Sequence, residues 1–416
     1  MIHSKMVQPR AFPWNSARAP EQINRLQEIT GDLTLNRDKL YEIGRDTVLD
    51  YRKRTPSFTG KLRQFEYDSM AFWYDLANMT TPGSGAAKDV TLEDIKTTYT
   101  DISAYLTDDD NTFTGSIWFP KLRVSGLTLN IGDPDAILER NISLVGEAYK
   151  ILPGKYLAYA TVTAGTITGY DELDVTLDGG SGSVPVPVEY AAGDYIFRVL
   201  RVRAGAVSEL IEDTASSPAA DTWAYSNATK KVTVQTCATS DIIKVYYESA
   251  TAYATLWTDN NSDATALFAE YCEIRLKFGT ATRIYRLQSV GIDVSFERTD
   301  YKEIGSDEVV QTGVKATNVK ISLDRFCENF TLEDLLASDT TYPYVDPSNF
   351  ADTIQMQVLV YGEKSHSNFK MGYFMNNISP TTIGTVQPVE DYNKVTTSLE
   401  CDNLKISTDI TELAFA

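Results

Sequence analysis

The chain has 416 residues, 43% of them hydrophobic, and a formal net charge of −19, enough for two or three domains with cores of their own. Residues 1–150 carry 18 basic and 21 acidic side chains, residues 151–262 carry 7 and 13, and residues 263–416 carry 13 and 23. No segment is therefore a basic footprint for phosphate-neutralising DNA binding, and the two histidines, His3 and His366, argue against most imidazole-based catalysis and metal chemistry.

The first 20 residues read as an N-terminal arm. "MIHSKMVQPRAFPW" has no apolar core of a signal peptide, and no stretch of the chain approaches 18 apolar residues. The expectation is a protein made in a cytoplasm and not inserted in a bilayer.

From residue 25 the chain writes a line that it repeats 261 positions later. "RLQEITGDLTLNRDKLYEIGRDTV" (25–48) and "RLQSVGIDVSFERTDYKEIGSDEV" (286–309) share ten identities in 24 positions without a gap, which reads as an internal duplication. In the second copy Val290, Ile292, Val294 and Phe296 alternate with polar residues, as a half-buried strand requires. The first copy keeps the rhythm with Ile29, Leu33 and Leu35, Gly31 standing where the second has Ile292. A second strand follows in each: Phe58, Leu62 and Phe65 against Val319, Leu323 and Phe326. Between the strands lie "YEIGRDTV" and "KEIGSDEV", whose Gly and Asp suit a tight or extended loop.

After the second strand each copy is expected to turn helical. "DSMAFWYDLAN" starts with Asp68 and Ser69, and "TLEDLLAS" with Thr331, all suited to an N-cap. One deletion brings Leu76-Ala77 onto Leu336-Ala337, and at offset 255 Phe119 falls on Phe374 and Ser143-Leu144 on Ser398-Leu399. A rival match, "TLED" at 91–94 and 331–334, implies offset 240 and is set aside as chance. The expected plan is a module over 21–150, an unmatched stretch over 151–262, and a second module over 263–416. The unmatched stretch combines "DGGSGSVPVPVEY", a turn or linker, with β-rich runs such as "KYLAYATVTAG", "DYIFRVLRVRAG", "KKVTVQTCA" and "DIIKVYYESATAYATLW". It reads as a small inserted β-sandwich-like domain, or alternatively as long excursions of the first module's own strands. The fold class is mainly β, each module carrying a flanking helix.

No catalytic constellation stands out. Walker, GxGxxG, GxSxG and HExxH motifs are absent. "TDDDNTF" lacks the spacing and glycine of an EF-hand, and "GDPDA" reads as a Pro-set turn. Asp46 and Asp307 recur in both copies but suggest turn caps or partners of Arg37 and Arg298 rather than paired acids. The basic run "YRKRTPSF", with Arg52, Lys53 and Arg54, is a solvated loop or a contact to an acidic face of a neighbouring subunit. The four cysteines have no ligand spacing and read as free thiols. No metal and no cofactor is expected.

"EIGRDTVLDYRKRTPSFTGKLRQFEYDSMAFWYDLA", "FPKLRVSGLTLNIGDPDAILERNISLVGEAYKIL" and "FERTDYKEIGSDEVVQTGVKATNVKISLDRFCENFTLEDLLA" resemble tail tube (major tail) proteins of tailed bacteriophages. The resemblance covers about residues 20–150 and 265–412 and implies β-sandwich or barrel-like modules in sixfold rings, whose inner strands join into one barrel and whose rings stack. Two modules in one chain resemble the trimeric pseudo-hexameric tubes of some long-tailed phages, with the insert on the exterior. The implied role is structural, in the virion: an acidic conduit for DNA ejection. The implied partners are further copies of the chain, a tape measure protein and transiting double-stranded DNA in the lumen, and tail terminator, baseplate or sheath proteins. Contacts between rings or subunits are expected at Glu42, Ile43, Gly44, Asp46, Arg52, Lys53 and Arg54, and at Glu303, Ile304, Gly305 and Asp307. Rival readings are another ring-forming tail or baseplate component, and a carbohydrate-binding adhesin using Trp223, Tyr225, Tyr246 and Tyr247.

Overall fold

The computed structural model describes residues 7–14, 21–35, 37–40, 50–53, 56–66, 69–79, 89–108, 112–132, 135–163, 172–176, 196–213, 219–226, 231–235, 237–238, 241–249, 266–278, 280–283, 287–302, 309–326, 354–386 and 394–415. The fold is mainly β. The first part holds β1 (Val7–Pro13), β2 (Glu21–Gln22), β3 (Leu26–Thr34), β4 (Arg37–Leu40), β5 (Asp50–Lys53), β6 (Ser57–Phe65), α1 (Ala71–Leu76), β7 (Val90–Thr91), α2 (Leu92–Lys96), β8 (Thr100–Thr107), β9 (Phe113–Ile131), β10 (Glu139–Gly146) and β11 (Lys150–Pro153). The middle holds β12 (Tyr156–Thr163), β13 (Glu172–Thr176), β14 (Ile196–Arg203), β15 (Ala206–Glu212), β16 (Thr222–Ser226), β17 (Lys231–Gln235) and β18 (Ile242–Ser249). The last part holds β19 (Cys272–Phe278), β20 (Thr280–Arg283), β21 (Leu287–Lys302), β22 (Val309–Phe326), β23 (Ile354–Tyr361), β24 (Phe369–Val386), β25 (Lys394–Cys401) and β26 (Lys405–Ser407).

The first and last parts pair their strands in one register. Ile29 faces Leu62 and Leu33 faces Phe58 across β3–β6, while Val290 faces Leu323 and Val294 faces Val319 across β21–β22. Each pair differs from its counterpart by 261 positions, and both ladders bulge at the same place, skipping Gln27 and Gln288. The agreement continues through β10 and β25, which face Gly60 with Leu144 and Ile321 with Leu399, and through β8–β9 and β23–β24, whose bulges also coincide. Strands β1 and β19, seven residues each, complete the series against β8 and β23.

Each series makes two layers because one long strand serves both. The N-terminal part of β9 pairs with β8 and β11, and its C-terminal part with β10; β24 does the same with β23 and β26, then β25. The crossing is made at a bulge where two residues of the long strand oppose one of its partner. A left-handed residue sits there in both, Lys121 (φ 52°) and Asn377 (φ 51°). The core lies between the layers: Ile102 and Phe119 from one, Leu62 and Leu144 from the other, with their counterparts Met356, Met375, Leu323 and Leu399 in the same cluster. Each large aliphatic side chain withdrawn from water there contributes about 1.5–3 kcal/mol. The strand crossing also corrects one alignment: Phe119 faces Ile102 as Met375 faces Met356, so the counterpart of Phe119 is Met375 and not Phe374.

The hairpins reach further than the alternation of apolar residues indicates. β21 pairs with β22 out to Lys302↔Val309, and β4 pairs with β5 from Arg37↔Lys53 to Leu40↔Asp50. The residues expected as a tight or extended loop, 41–48 and most of 302–309, lie outside the described residues, and what flanks them is a paired arm. Its backbone groups close a ladder although few apolar residues mark it.

α1 buries Phe72, Trp73, Tyr74, Asp75 and Leu76. Its N-cap is Met70, and Ser69 Oγ accepts from Ala71 N at 3.2 Å. Left-handed Asn78 (φ 52°) ends the turn, its side chain accepting from Trp14 N and donating to Tyr99 O. α2 has a capping box between Thr91 and Asp94, so the "TLED" set aside as a chance match is a helix start. The helix expected near Thr331 lies outside the described residues. In the middle, β12, β18, β14 and β15 form one sheet, and β15 passes on to β16, β17 and β13.

Candidate functional site

The structure brings together strand edges rather than reactive groups. The second layers of the two series join side by side, β9 pairing with β21 from Val290↔Ile131 to Ser295↔Gly126. The result is one antiparallel eight-stranded half-barrel sheet, ordered β3-β6-β10-β9-β21-β22-β25-β24. Side chains reinforce the seam on both faces. Thr128 Oγ1 donates to Asp293 Oδ1 at 3.0 Å, and Arg298 donates to Val124 O at 2.5 Å. Behind the seam, Arg140 and Glu66 pair at 2.8 Å, both fully buried, and Arg140 lies 4.6 Å from the Trp73 ring centroid. Burial, followed by the charge of Glu66, pushes the Tyr373 hydroxyl well above its ordinary range.

One face of this sheet is core and the other open. The open face carries acidic Glu28, Asp32, Glu139, Asp293, Glu297, Asp324 and Glu400 against basic Lys61, Arg63, Lys320 and Lys394, seven against four. Between them stand small polar residues such as Thr30, Thr59, Asn141, Ser143, Thr128, Asn130, Ser295, Ser322, Thr396 and Ser398. Arg63 is shared by Glu28 at 3.3 Å and Glu139 at 3.5 Å. The face is hydroxyl-rich and mildly acidic. The alternation of polar residues in the sequence contained this face, but the joining of two sheets across 160 residues left no local signal of it.

The two outer edges, β3 and the C-terminal part of β24, have no partner among the described strands. Long unpaired edges are templates for another chain.

The seven-stranded middle sheet is clamped to the first series by a buried cluster. Asp101, fully buried on β8, accepts from Trp14 Nε1 (2.7 Å), Trp118 Nε1 (3.0 Å), Lys121 N (2.9 Å) and Arg198 Nη1 (2.9 Å). The Arg198 guanidinium lies 4.6 Å from the Trp14 ring centroid and 5.3 Å from that of Trp118. Glu209 adds contacts to Arg198 at 3.1 Å and Lys121 at 2.6 Å. Burial alone would lower Arg198, but Asp101 and Glu209 outweigh it and its proton is held more tightly than usual. Lys244 donates to Pro13 O at 2.6 Å, and burial pulls its ammonium down to about 8 against the raising influence of Asp75 and Asp101. In the last series Gln355 takes the place of Asp101 opposite the bulge. Nothing in the local sequence signals this cluster, since Asp101 and Arg198 are 97 positions apart.

Of the residues expected at contacts, Arg52 and Lys53 lie on β5, opposite Asp38 and Arg37. Glu42, Ile43, Gly44, Asp46, Arg54, Glu303, Ile304, Gly305 and Asp307 lie outside the described residues. Trp223, Tyr246 and Tyr247 are buried, so they offer no platform for a sugar. Burial pushes the Cys272 thiol up to about 12 and the Cys401 thiol to about 11. Among the described residues no three His, Cys, Asp or Glu side chains converge as a metal would require, and no helix is long and apolar enough to cross a membrane. No family model matches the chain, and no curated protein matches it.

Proposed function

We propose that the chain is a structural subunit that closes into rings of three copies, and that the rings stack as the tail tube of a tailed bacteriophage. The carrying observation is the seam itself. Two half-sheets of one register already join β9 to β21 in a single chain, leaving as free edges the counterparts of those strands, β24 and β3. Carrying the seam register over by the strand offsets places Asp32 of one copy opposite Gly384 of the next, with Gly31 opposite Thr385. An interface that repeats head to tail closes a ring when its rotation permits. Closure would pair every edge of the half-barrel.

The open face is the candidate lumen. Its excess of carboxylates would repel phosphate, and its short hydroxyl and amide side chains would give passing DNA or a filamentous protein little to hold. The hairpin arms ending at β4–β5 and β21–β22 are the candidate contacts between rings. Arg52 and Lys53 lie on one of them, and Glu42 to Asp46 and Glu303 to Asp307 fall between their strands in the sequence.

Native mass measurement of the assembled protein tests the proposal, together with electron microscopy. Three chains per ring and stacking into tubes of uniform width are expected. Six chains per ring overturns the two-modules-per-chain reading. Rings that refuse to stack favour a baseplate component, and a dispersed monomer at all concentrations overturns assembly altogether.

A further inference from the structure

We propose that β11 is a second docking edge for another copy of this chain, with Ile151 as its anchor; the proposal rests on the ring reading above. β11 pairs with β9 on one side, Ile151 facing Ile117, and no described strand covers its other side. Its counterpart β26 pairs with β24 in the corresponding register, Ile406 facing Tyr373. The free side of β26, however, is occupied: Val90 of β7 lies opposite Ile406, and Thr91 opposite Lys405.

The consequence is visible in burial. Ile406 and Val90 are both 0% exposed, whereas Ile151 is 60% exposed at the rim of the equivalent core. A large aliphatic side chain on a bare strand edge is a site of strand addition.

The identity of the occupant follows from direction. β7 leaves the first series and pairs with β26 of the last series of the same chain, and Leu92 N just after it donates to Leu404 O. That is the direction in which β9 hands on to β21. The same step repeated leads from the last series of one copy to the first series of the next. There it meets both β3 and β11. One neighbouring copy therefore answers both bare edges, and β11 continues an interface that already exists once within the chain.

The test compares full-length wild type with Ile151→Glu and with Ile211→Glu. Ile211 is 74% exposed and lies on the middle sheet, so it controls for the loss of a surface isoleucine. Sedimentation velocity across a concentration series should show association weakened about tenfold or more by Ile151→Glu, the scale of one buried aliphatic side chain. Ile211→Glu should assemble as wild type, and all three monomers should unfold at the same temperature. Amides of residues 150–153 should exchange more slowly in assembled wild type than in dissociated chains. If wild type forms rings and Ile151→Glu forms them equally well, or if β11 exchanges at one rate in both states, the docking edge is overturned while the ring reading stands. A wild-type chain that never associates overturns both.

Discussion

The Phe58 ring lies across Gly31, so closely that a Cβ on Gly31 would stand 2.4 Å from Phe58 Cε2. Gly60, opposite Gly31 in the ladder, is covered by the same ring, with Cβ contacts of 2.9 Å. The counterparts in β21–β22 are Ile292, Ile321 and Val319. One half fills the space with a single aromatic over two glycines and the other with three aliphatic side chains. Gly31→Ala alone should cost about 1–3 kcal/mol through overpacking. Combined with Phe58→Val it should cost less than the sum of the two single changes. Denaturant unfolding of the four proteins checks this, and strict additivity would rule out the shared space.

The clamp between Asp101 and Arg198 predicts a large, asymmetric effect. Asp101→Asn leaves a guanidinium at 6% exposure with Glu209, at 3.1 Å, as its remaining carboxylate and should cost up to about 3–5 kcal/mol. Removing both charges, as Asp101→Asn with Arg198→Met, should cost less than Asp101→Asn alone. Limited proteolysis and thermal unfolding report whether the middle sheet has come loose.

Lys244 predicts a pH dependence with a definite sign. Burial lowers its folded-state value to about 8 from the ordinary 10.5, so between those values the unfolded chain binds more protons. Stability therefore rises with pH from about 8 to 10.5, by an amount on the order of 3 kcal/mol from this group. Below pH 8 the ammonium is charged in both states and the penalty is fully present. Lys244→Met should flatten this rise relative to wild type in unfolding measured between pH 7 and 10.5, whatever else titrates in both proteins.

The open face predicts weak interaction with nucleic acid and a way to reverse it. Wild type should retain no double-stranded DNA at physiological salt. Asp293→Lys, Glu297→Lys and Asp324→Lys together convert three carboxylates on adjacent strands into cations. Binding should then appear, and its logarithm should fall with the logarithm of salt by about 0.9 per phosphate neutralised. Filter binding across a salt series checks it, and salt-independent retention would count against an electrostatic face.

The hairpins are legible because both stretches keep the same alternation. Val290, Ile292 and Val294 announce their strand, and Ile29 and Leu33 echo it although Gly31 interrupts. The match of Ser143-Leu144 to Ser398-Leu399 also agrees with the ladders. Phe119 was aligned one residue off because a bulge and unequal loops change the offset from strand to strand, and an aromatic nearby drew the match. α2 went unread because five residues show no helical period. The arms beyond Phe296 and before Phe58 leave little trace in the sequence because their pairing depends on backbone, with little apolar patterning. The clamp was out of reach for another reason. Asp101, Trp14, Trp118 and Arg198 carry no spacing that distinguishes them from ordinary core and surface residues until the fold brings them together.

The seam between β9 and β21 is covalently tethered, and this separates two kinds of joint by their response to dilution. A joint between chains is governed by mass action and loosens as protein becomes scarce, whereas one between strands of a single polypeptide keeps a constant local concentration. Every molecule thus arrives with one lateral joint already made at folding. Were copies to assemble as proposed, exchange, growth and breakage would proceed in steps of two half-sheets, never one.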